Sequence, residues 1–436
     1  MRKPNRKPLA AACFLVIAVA CSCVASWPTR AEPTALAFRH GISIHHALNW
    51  AKMQAGAGGQ YVFPPFADPE YLLDRADLNK IRSAGFDFVR LTVDPGPFLQ
   101  FEGARRDALD EILLARINMI LQSGLNVVVD FHPNNQNPAY RPLALIASVD
   151  TPLFEAYVEA VARTARLLRT LPSGRVMLEP MNEPQVGWDA SGNAKWQAMM
   201  QSIYGKVRQA TPSLALIVTG GSGGSANGLL ALDATPFASD PHVTFTFHYY
   251  LRYEFTHQSI KANAETRFLS AVPYPADSRP QEESFQSLAN AVAQSNLNTE
   301  EKAAALAAGK KSLADYFASG FDRSAVNSTF VRIADWAARY GVSGSRILLG
   351  EFGVARTYAG YRGARDDDRE RWLADIRQAA ESRGWGWATW AFRGPGGMAL
   401  AQDDRPGAPL DTVALRALGL SAMSTGDAEP AVNTSH

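Results

Sequence analysis

The chain has 436 residues, 47% hydrophobic and 19% charged, and its 43 Lys+Arg against 42 Asp+Glu leave a formal net charge of +1. That composition can bury a large core and excludes a chain disordered overall, while the charge balance gives no electrostatic reason to expect nucleic acid or an anionic membrane as a general partner. Three cysteines, Cys13, Cys21 and Cys23, are too few for a disulfide framework and leave the rest of the chain free of thiols.

Arg2, Lys3, Arg6 and Lys7 precede an uncharged apolar run over 9–25, the order of a secretory signal peptide. Residues 1–26 are therefore expected to be an export signal, and the protein periplasmic or extracellular. Ala18-Val19-Ala20 ahead of Cys21 fits the small-residue pattern expected of a cleavage site. It also resembles a weak bacterial lipobox with Ala where Leu is usual. Acylation of Cys21 would make a lipid-anchored envelope protein, the one route by which a membrane becomes a partner. A retained membrane anchor is disfavoured, because the run barely reaches spanning length.

Past residue 35 short apolar runs alternate with amphipathic segments. Strands are expected at 41–45, 86–91, 126–131, 175–178, 215–219, 243–247, 346–350 and 386–390. Helices are expected at 77–84, 108–122, 153–171, 195–209, 330–340, 369–383 and 412–418. Eight strands, most followed by a helix, predict an α/β chain folded as a single (β/α) eight-stranded TIM barrel over 35–420. Two segments exceed what a barrel needs. Residues 50–70, rich in Gly, Pro and aromatics, read as a long loop after the first strand. Residues 251–323 begin aromatic and basic, pass through a polar stretch at 274–287 and end helix-like at 299–317. Long insertions on the catalytic face shape binding clefts. The small, polar tail 421–436 is expected to be disordered.

The strand ends carry the chemistry. Glu183 follows the fourth strand in Glu179-Pro180-Met181-Asn182-Glu183-Pro184, and Glu351 closes the seventh in Leu349-Gly350-Glu351-Phe352. Only a closed barrel naturally brings two such distant carboxylates together, and glycoside cleavage needs such a pair. Arg90 ends the second strand, where a guanidinium can hold a carboxylate ionised and oriented; the alternative is an ordinary salt bridge. His132 ends the third strand, His248 and Tyr250 the sixth, and Trp390 the eighth. An indole there serves as barrel packing or as a flat apolar platform for a sugar ring.

Taken in order, Arg90, His132, Asn182-Glu183-Pro184, His248-x-Tyr250, Glu351-Phe352-Gly353 and Trp390 resemble glycoside hydrolase family 5, the cellulase family of retaining β-glycanases, over residues 38 to 420. The resemblance implies Glu183 as general acid/base and Glu351 as nucleophile. It also implies Asn182 on the sugar 2-hydroxyl, Arg90 and Tyr250 positioning Glu351, and His132, His248 and Trp390 lining the subsite of cleavage. It implies no cofactor and no metal, and a β-linked polysaccharide or oligosaccharide as partner. Pro180 and Gln185 depart from the family's common signature, which bears on substrate more than on chemistry.

Within that family the expected activity is endo-β-1,4-glucanase, with β-mannanase and β-1,3-glucanase open on the same site. A non-catalytic glycan-binding barrel would require neither glutamate. A metal-dependent hydrolase could draw on His45, His46, His132 and His248. However, adjacent His45 and His46 point to opposite sides of a strand, and no HxH or HExxH spacing occurs. Trp50, Tyr61, Trp188, Trp196, Tyr249, Tyr253 and Phe392 are candidate subsite aromatics, about half of them expected to be packing instead.

Overall fold

The structure is a computed structural model that describes Met1 and residues 38–421, apart from 57, 358–361, 395–396, 404 and 406. The expected export signal and tail lie outside the described residues, Met1 and Ser421 aside. Every element below belongs to the unit Leu36–His436. Among the described residues no helix is long and apolar enough to cross a membrane.

Eight parallel strands close into a barrel in chain order: β1 (His40–Leu48), β2 (Phe88–Val93), β3 (Asn126–Phe131), β4 (Val176–Glu179), β5 (Ala215–Thr219), β6 (Val243–His248), β7 (Ile347–Phe352) and β8 (Gly386–Thr389). Seven of the eight expected strands end within two residues of the observed ones, whereas β1 runs on to Leu48. β2, β4, β6, β7 and β8 are buried throughout, as a parallel sheet covered on both faces requires.

Side chains alternate between the two faces. Ile42, Val89, Val129, Leu178, Leu216, Phe245 and Leu349 belong to the main hydrophobic core. Phe88, Val128, Met177, Ile217, Leu348 and Ala388 form a separate apolar cluster, the plug of the barrel's lumen. Gly41 makes room for that plug, since a Cβ there would meet the Phe88 ring at 2.1 Å. One two-residue step further along the same strands lie Arg90, Asp130, Glu179, Thr219, Gly350 and Trp390. Thus the period that seals the bottom of the lumen with hydrocarbon places a polar layer at its C-terminal end.

The surrounding helices begin on side-chain caps. Thr151 accepts from the Phe154 N–H at the start of Pro152–Leu168, and Asp322 accepts from the Ala325 N–H at the start of Arg323–Arg339. In the latter, Val326, Phe330, Ile333 and Ala337 face the barrel at helical spacing. The insertion after β6 holds a short helix at Tyr253–Thr256 and two longer ones, Gln281–Ala293 and Thr299–Ala318. The first of the longer pair begins within the stretch expected to be merely polar, and buries Ser284, Leu288 and Val292 at four-residue steps. The insertion is tied down at its base. Arg279 pairs with Asp367 and Asp368, and the Tyr274 hydroxyl donates to Asp375 at 2.9 Å.

Candidate active site

Arg90 is wholly buried and organises the polar layer. Its Nε and one terminal nitrogen donate to the two oxygens of Glu179 at 2.7 and 2.9 Å. That nitrogen also lies 3.0 Å from Asp130 and donates to Asn182 Oδ1 at 2.9 Å, while the other terminal nitrogen donates to Glu351 Oε1 at 2.5 Å. One guanidinium is therefore shared among three carboxylates. Burial pushes Asp130 up to about 7 and raises Glu179, both against the pull of Arg90. The Tyr250 hydroxyl donates to the second oxygen of Glu351 at 3.0 Å, so both oxygens of that carboxylate are held.

Glu183 stands just past β4 at φ 35°, a left-handed conformation uncommon outside glycine and a recurring mark of functional positions. The loop that carries it is laced to the loop after β5. The Gly223 N–H donates to Pro184 O at 3.0 Å and the Ser222 N–H to Val186 O at 2.5 Å. Gly224, itself at φ 66°, packs so closely that a Cβ would lie 3.4 Å from the Glu183 Cα. About a third of the Glu183 side chain still faces the cleft. Burial of its carboxyl group pushes it up to about 7, with Arg90 pulling down and Glu179 pushing up.

His248 links the two glutamates. A register shift between β6 and β7 brings it opposite Glu351. Its Nδ1 lies 2.9 Å from Glu183 Oε1 and 3.7 Å from Glu351 Oε2. Nε2 is buried with no hydrogen-bond partner among the described residues, and burial lowers the imidazole's pKa, which favours the neutral ring. His132, lowered to about 3 by burial, donates from Nδ1 to Asp130 and accepts at Nε2 from the Asn182 amide at 3.3 Å. Asn182 thus keeps one N–H free.

A cavity of about 420 Å³ opens onto these groups. His45, His132 and Trp390 wall it on the barrel side, and Tyr250, Tyr253 and His257 on the side of the insertion. Trp390 stacks on His132 at 5.5 Å and 14°. Next to them the Trp50 indole donates to His45 Nε2 at 2.7 Å, and the Trp50 carbonyl accepts from Tyr71 at 2.7 Å. The structure thus brings together every residue expected from the sequence: Arg90, His132, Asn182, Glu183, His248, Tyr250, Glu351 and Trp390. The aromatic candidates divide. Trp50, Trp188 and Tyr253 are 48%, 70% and 50% exposed, whereas Tyr61, Trp196, Tyr249 and Phe392 are buried and serve packing instead. Trp196, for example, gives its indole N–H to Thr219 O.

Sequence reasoning missed Asp130 and Glu179, whose signal was a charge inside an otherwise apolar buried strand. It also left His45 without a place in the cleft. As for a cation site, the ligand atoms of Glu183, His248 and Glu351 all lie within 4.8 Å of one another. The guanidinium of Arg90 already holds Glu351, and His248 Nδ1 is already engaged with Glu183 Oε1. The donor set is therefore closed on itself rather than poised for a metal.

The model of the family described as Cellulase (glycosyl hydrolase family 5) matches residues 47–395. No curated protein matches the sequence. Solved structures do. The clostridial cellulose synthase subunit Z of Clostridioides difficile aligns at TM-score 0.61 and 18% identity, over 87% of this chain and 99% of its own. An endoglucanase of the hyperthermophilic Thermotoga maritima aligns at 0.61 and 18%, over 88% and 98%; it has been crystallised with cellobiose and with mannotriose. A family 5 xyloglucanase of Paenibacillus pabuli aligns at 0.61 and 15%, over 89% and 99%. At these identities the likeness is one of fold.

Proposed function

The chain belongs to the cellulase family, glycosyl hydrolase family 5, and on that premise we propose that it is an exported enzyme that hydrolyses internal β-glycosidic bonds of a polysaccharide with retention, β-1,4-glucan foremost. The observation that carries this reading is the pairing of Glu183 and Glu351 across His248, with ligand atoms within 4.8 Å. Facing oxygens this close favour a double displacement, in which the carboxyl groups stand about 5–5.5 Å apart, over inversion, whose pairs stand about 6.5–9.5 Å apart to admit a water.

In the first step Glu351, held by Arg90 and Tyr250, attacks the anomeric carbon. Glu183 gives its proton to the departing glycosidic oxygen, which carries away the electrons of the broken bond. In the second step Glu183, now a carboxylate, takes a proton from water as that water's oxygen attacks the anomeric carbon. The bond to Glu351 breaks and its carboxylate is restored. Asn182 offers its free N–H to the ring's 2-hydroxyl, and Trp390 offers its indole face to the C–H side of the sugar. The partly buried setting of Glu183, which pushes its carboxyl group up to about 7, supports its part as acid, since a carboxyl group at its ordinary value would be ionised near neutrality.

The preference for β-1,4-glucan rests on family habit and on the glucanases among the structural neighbours; the barrel itself does not set linkage. Export rests on the basic-then-apolar order of residues 1–26. Incubation with soluble β-1,4-glucan, β-mannan, β-1,3-glucan and xyloglucan, with products sized over time, tests the reading. Internal cleavage of β-1,4-glucan to mixed oligosaccharides, in the β-anomeric form at early times, is the expected result. No release of reducing ends from any of the four, or α-anomeric products, overturns it.

A further inference from the structure

Two cavities meet at Glu183. The larger, already described, also contains Glu351, so the ring that is attacked sits there. The second, of about 160 Å³, lies beside the C-terminal end of β6 and shares Glu183, Tyr250 and Tyr253 with the first, but Glu351 does not line it. A cavity that touches the proton donor and not the nucleophile is where the departing part of the substrate goes. Its outer wall is formed by Gly223 and Asn227 from the loop and helix after β5, and by Thr329 and Arg332 from Arg323–Arg339. Trp188 stands at its rim, since a Cβ on Gly223 would lie 3.5 Å from the indole.

Arg332 is the distinctive group. It lies on the solvent side of its helix, exposed, with no carboxylate within ion-pair distance among the described residues. The Asn227 side chain, exposed at the same cavity, likewise has no hydrogen-bond partner among them. A neutral leaving group would offer that guanidinium only single, uncharged hydroxyl acceptors. A carboxylate would meet a planar fork able to take both of its oxygens in charge-assisted bonds.

Resting on the hydrolase reading above, we propose that the leaving-group side of this cleft takes a glycosyl unit bearing a carboxylate, either a uronic acid or a sugar with a carboxyl-bearing substituent. Arg332 is the contact that determines this specificity, and Trp188 is the platform under the ring. The natural polymer is then an acidic β-glycan, cut where a charged unit follows the scissile bond.

Binding in the full-length Glu351→Gln protein tests this without turnover. Three β-linked glucan oligosaccharides of equal length are compared by calorimetry at low ionic strength: the neutral parent, one carrying glucuronic acid and one carrying a succinyl half-ester. The acidic ligands are expected to bind about tenfold tighter than the parent, as a charge-assisted bidentate contact supplies. That advantage should disappear in Arg332→Gln, persist in part in Arg332→Lys, and shrink as salt is raised. A preference for only one acidic ligand identifies which source of carboxylate the site takes. Equal affinity for acidic and neutral ligands, or an acidic preference that Arg332→Gln leaves intact, overturns the proposal. Release of reducing ends by the unsubstituted protein is scored separately, so failure of the hydrolase reading and failure of this inference are told apart.

Discussion

Arg90 and Arg332 are the same side chain in opposite circumstances, and the two regions they mark divide the work of the cleft. In the lumen every nitrogen of one guanidinium donates to a carboxylate or an amide oxygen, and the side chain is wholly buried. At the rim the other guanidinium faces solvent and pairs with no carboxylate among the described residues. Reacting groups must be fixed to a fraction of an ångström, and mutual constraint in a dry interior does that. Recognition needs groups that keep a free valence until the ligand arrives. The lumen is therefore intolerant of change, while the rim is open to it.

The largest effects are expected in the lumen. Glu351→Gln removes the nucleophile and should lower kcat by at least about 10⁴-fold, with substrate affinity retained; a loss under tenfold in steady-state kinetics would mean that another group attacks. Arg90→Met leaves Asp130, Glu179 and Glu351 buried together without a cation. It should destabilise the protein by about 3–5 kcal/mol in denaturant titrations, and a stability equal to that of the unsubstituted protein would show that the layer is not held by charge.

A pH profile sharpens the comparison further. With Glu183 pushed up from 4.5 to about 7, kcat/KM should fall as pH rises through about 7, and this limb should vanish in Glu183→Gln. The folded protein also binds this proton more tightly than the unfolded chain, so the associated stability is present below about 4.5 and is lost as pH rises through 7. Glu183→Gln should accordingly raise Tm more at pH 8 than at pH 5 in thermal melts. The smallest effect belongs to the rim. Trp188→Ala should raise KM about three- to tenfold on oligosaccharides long enough to cross the scissile bond, as loss of one stacked aromatic implies, and leave Tm within error. A fall in Tm would place Trp188 among the structural aromatics instead.

The same division explains what could be read from the sequence. Glu351 and Trp390 were legible because each closes an apolar run and Glu183 because it follows one, whereas Arg90, read as a strand end, lies inside β2, which runs on to Val93. Asp130 and Glu179 were on the page but unassigned, because their role depends on sharing Arg90 with Glu351, a relation between strands that no single run displays. The helix Gln281–Ala293 was hidden by its polar composition, although Ser284, Leu288 and Val292 carried its period. Trp188 and Trp196 sit in the same stretch of sequence, yet one is 70% exposed and the other is core. Trp188 lies on the loop before the helix Ala190–Ala210, whereas Trp196 lies on that helix's buried face. Arg332 had no signal at all, since an unpaired surface cation looks like any other until a cavity is found beside it.

The shared guanidinium has a bearing on how the interior manages protons through the proposed cycle. Asp130, Glu179 and Glu351 surround a single positive charge, and burial pushes Asp130 up to about 7 and raises Glu179 against its pull. When Glu351 becomes an ester it no longer carries a negative charge, and Arg90 is left to the other two. Loss of that negative charge favours ionisation of the two that remain, and hydrolysis, which restores the Glu351 carboxylate, reverses the bias. The proton affinity of the lumen is thus tied to the covalent state of its outermost member.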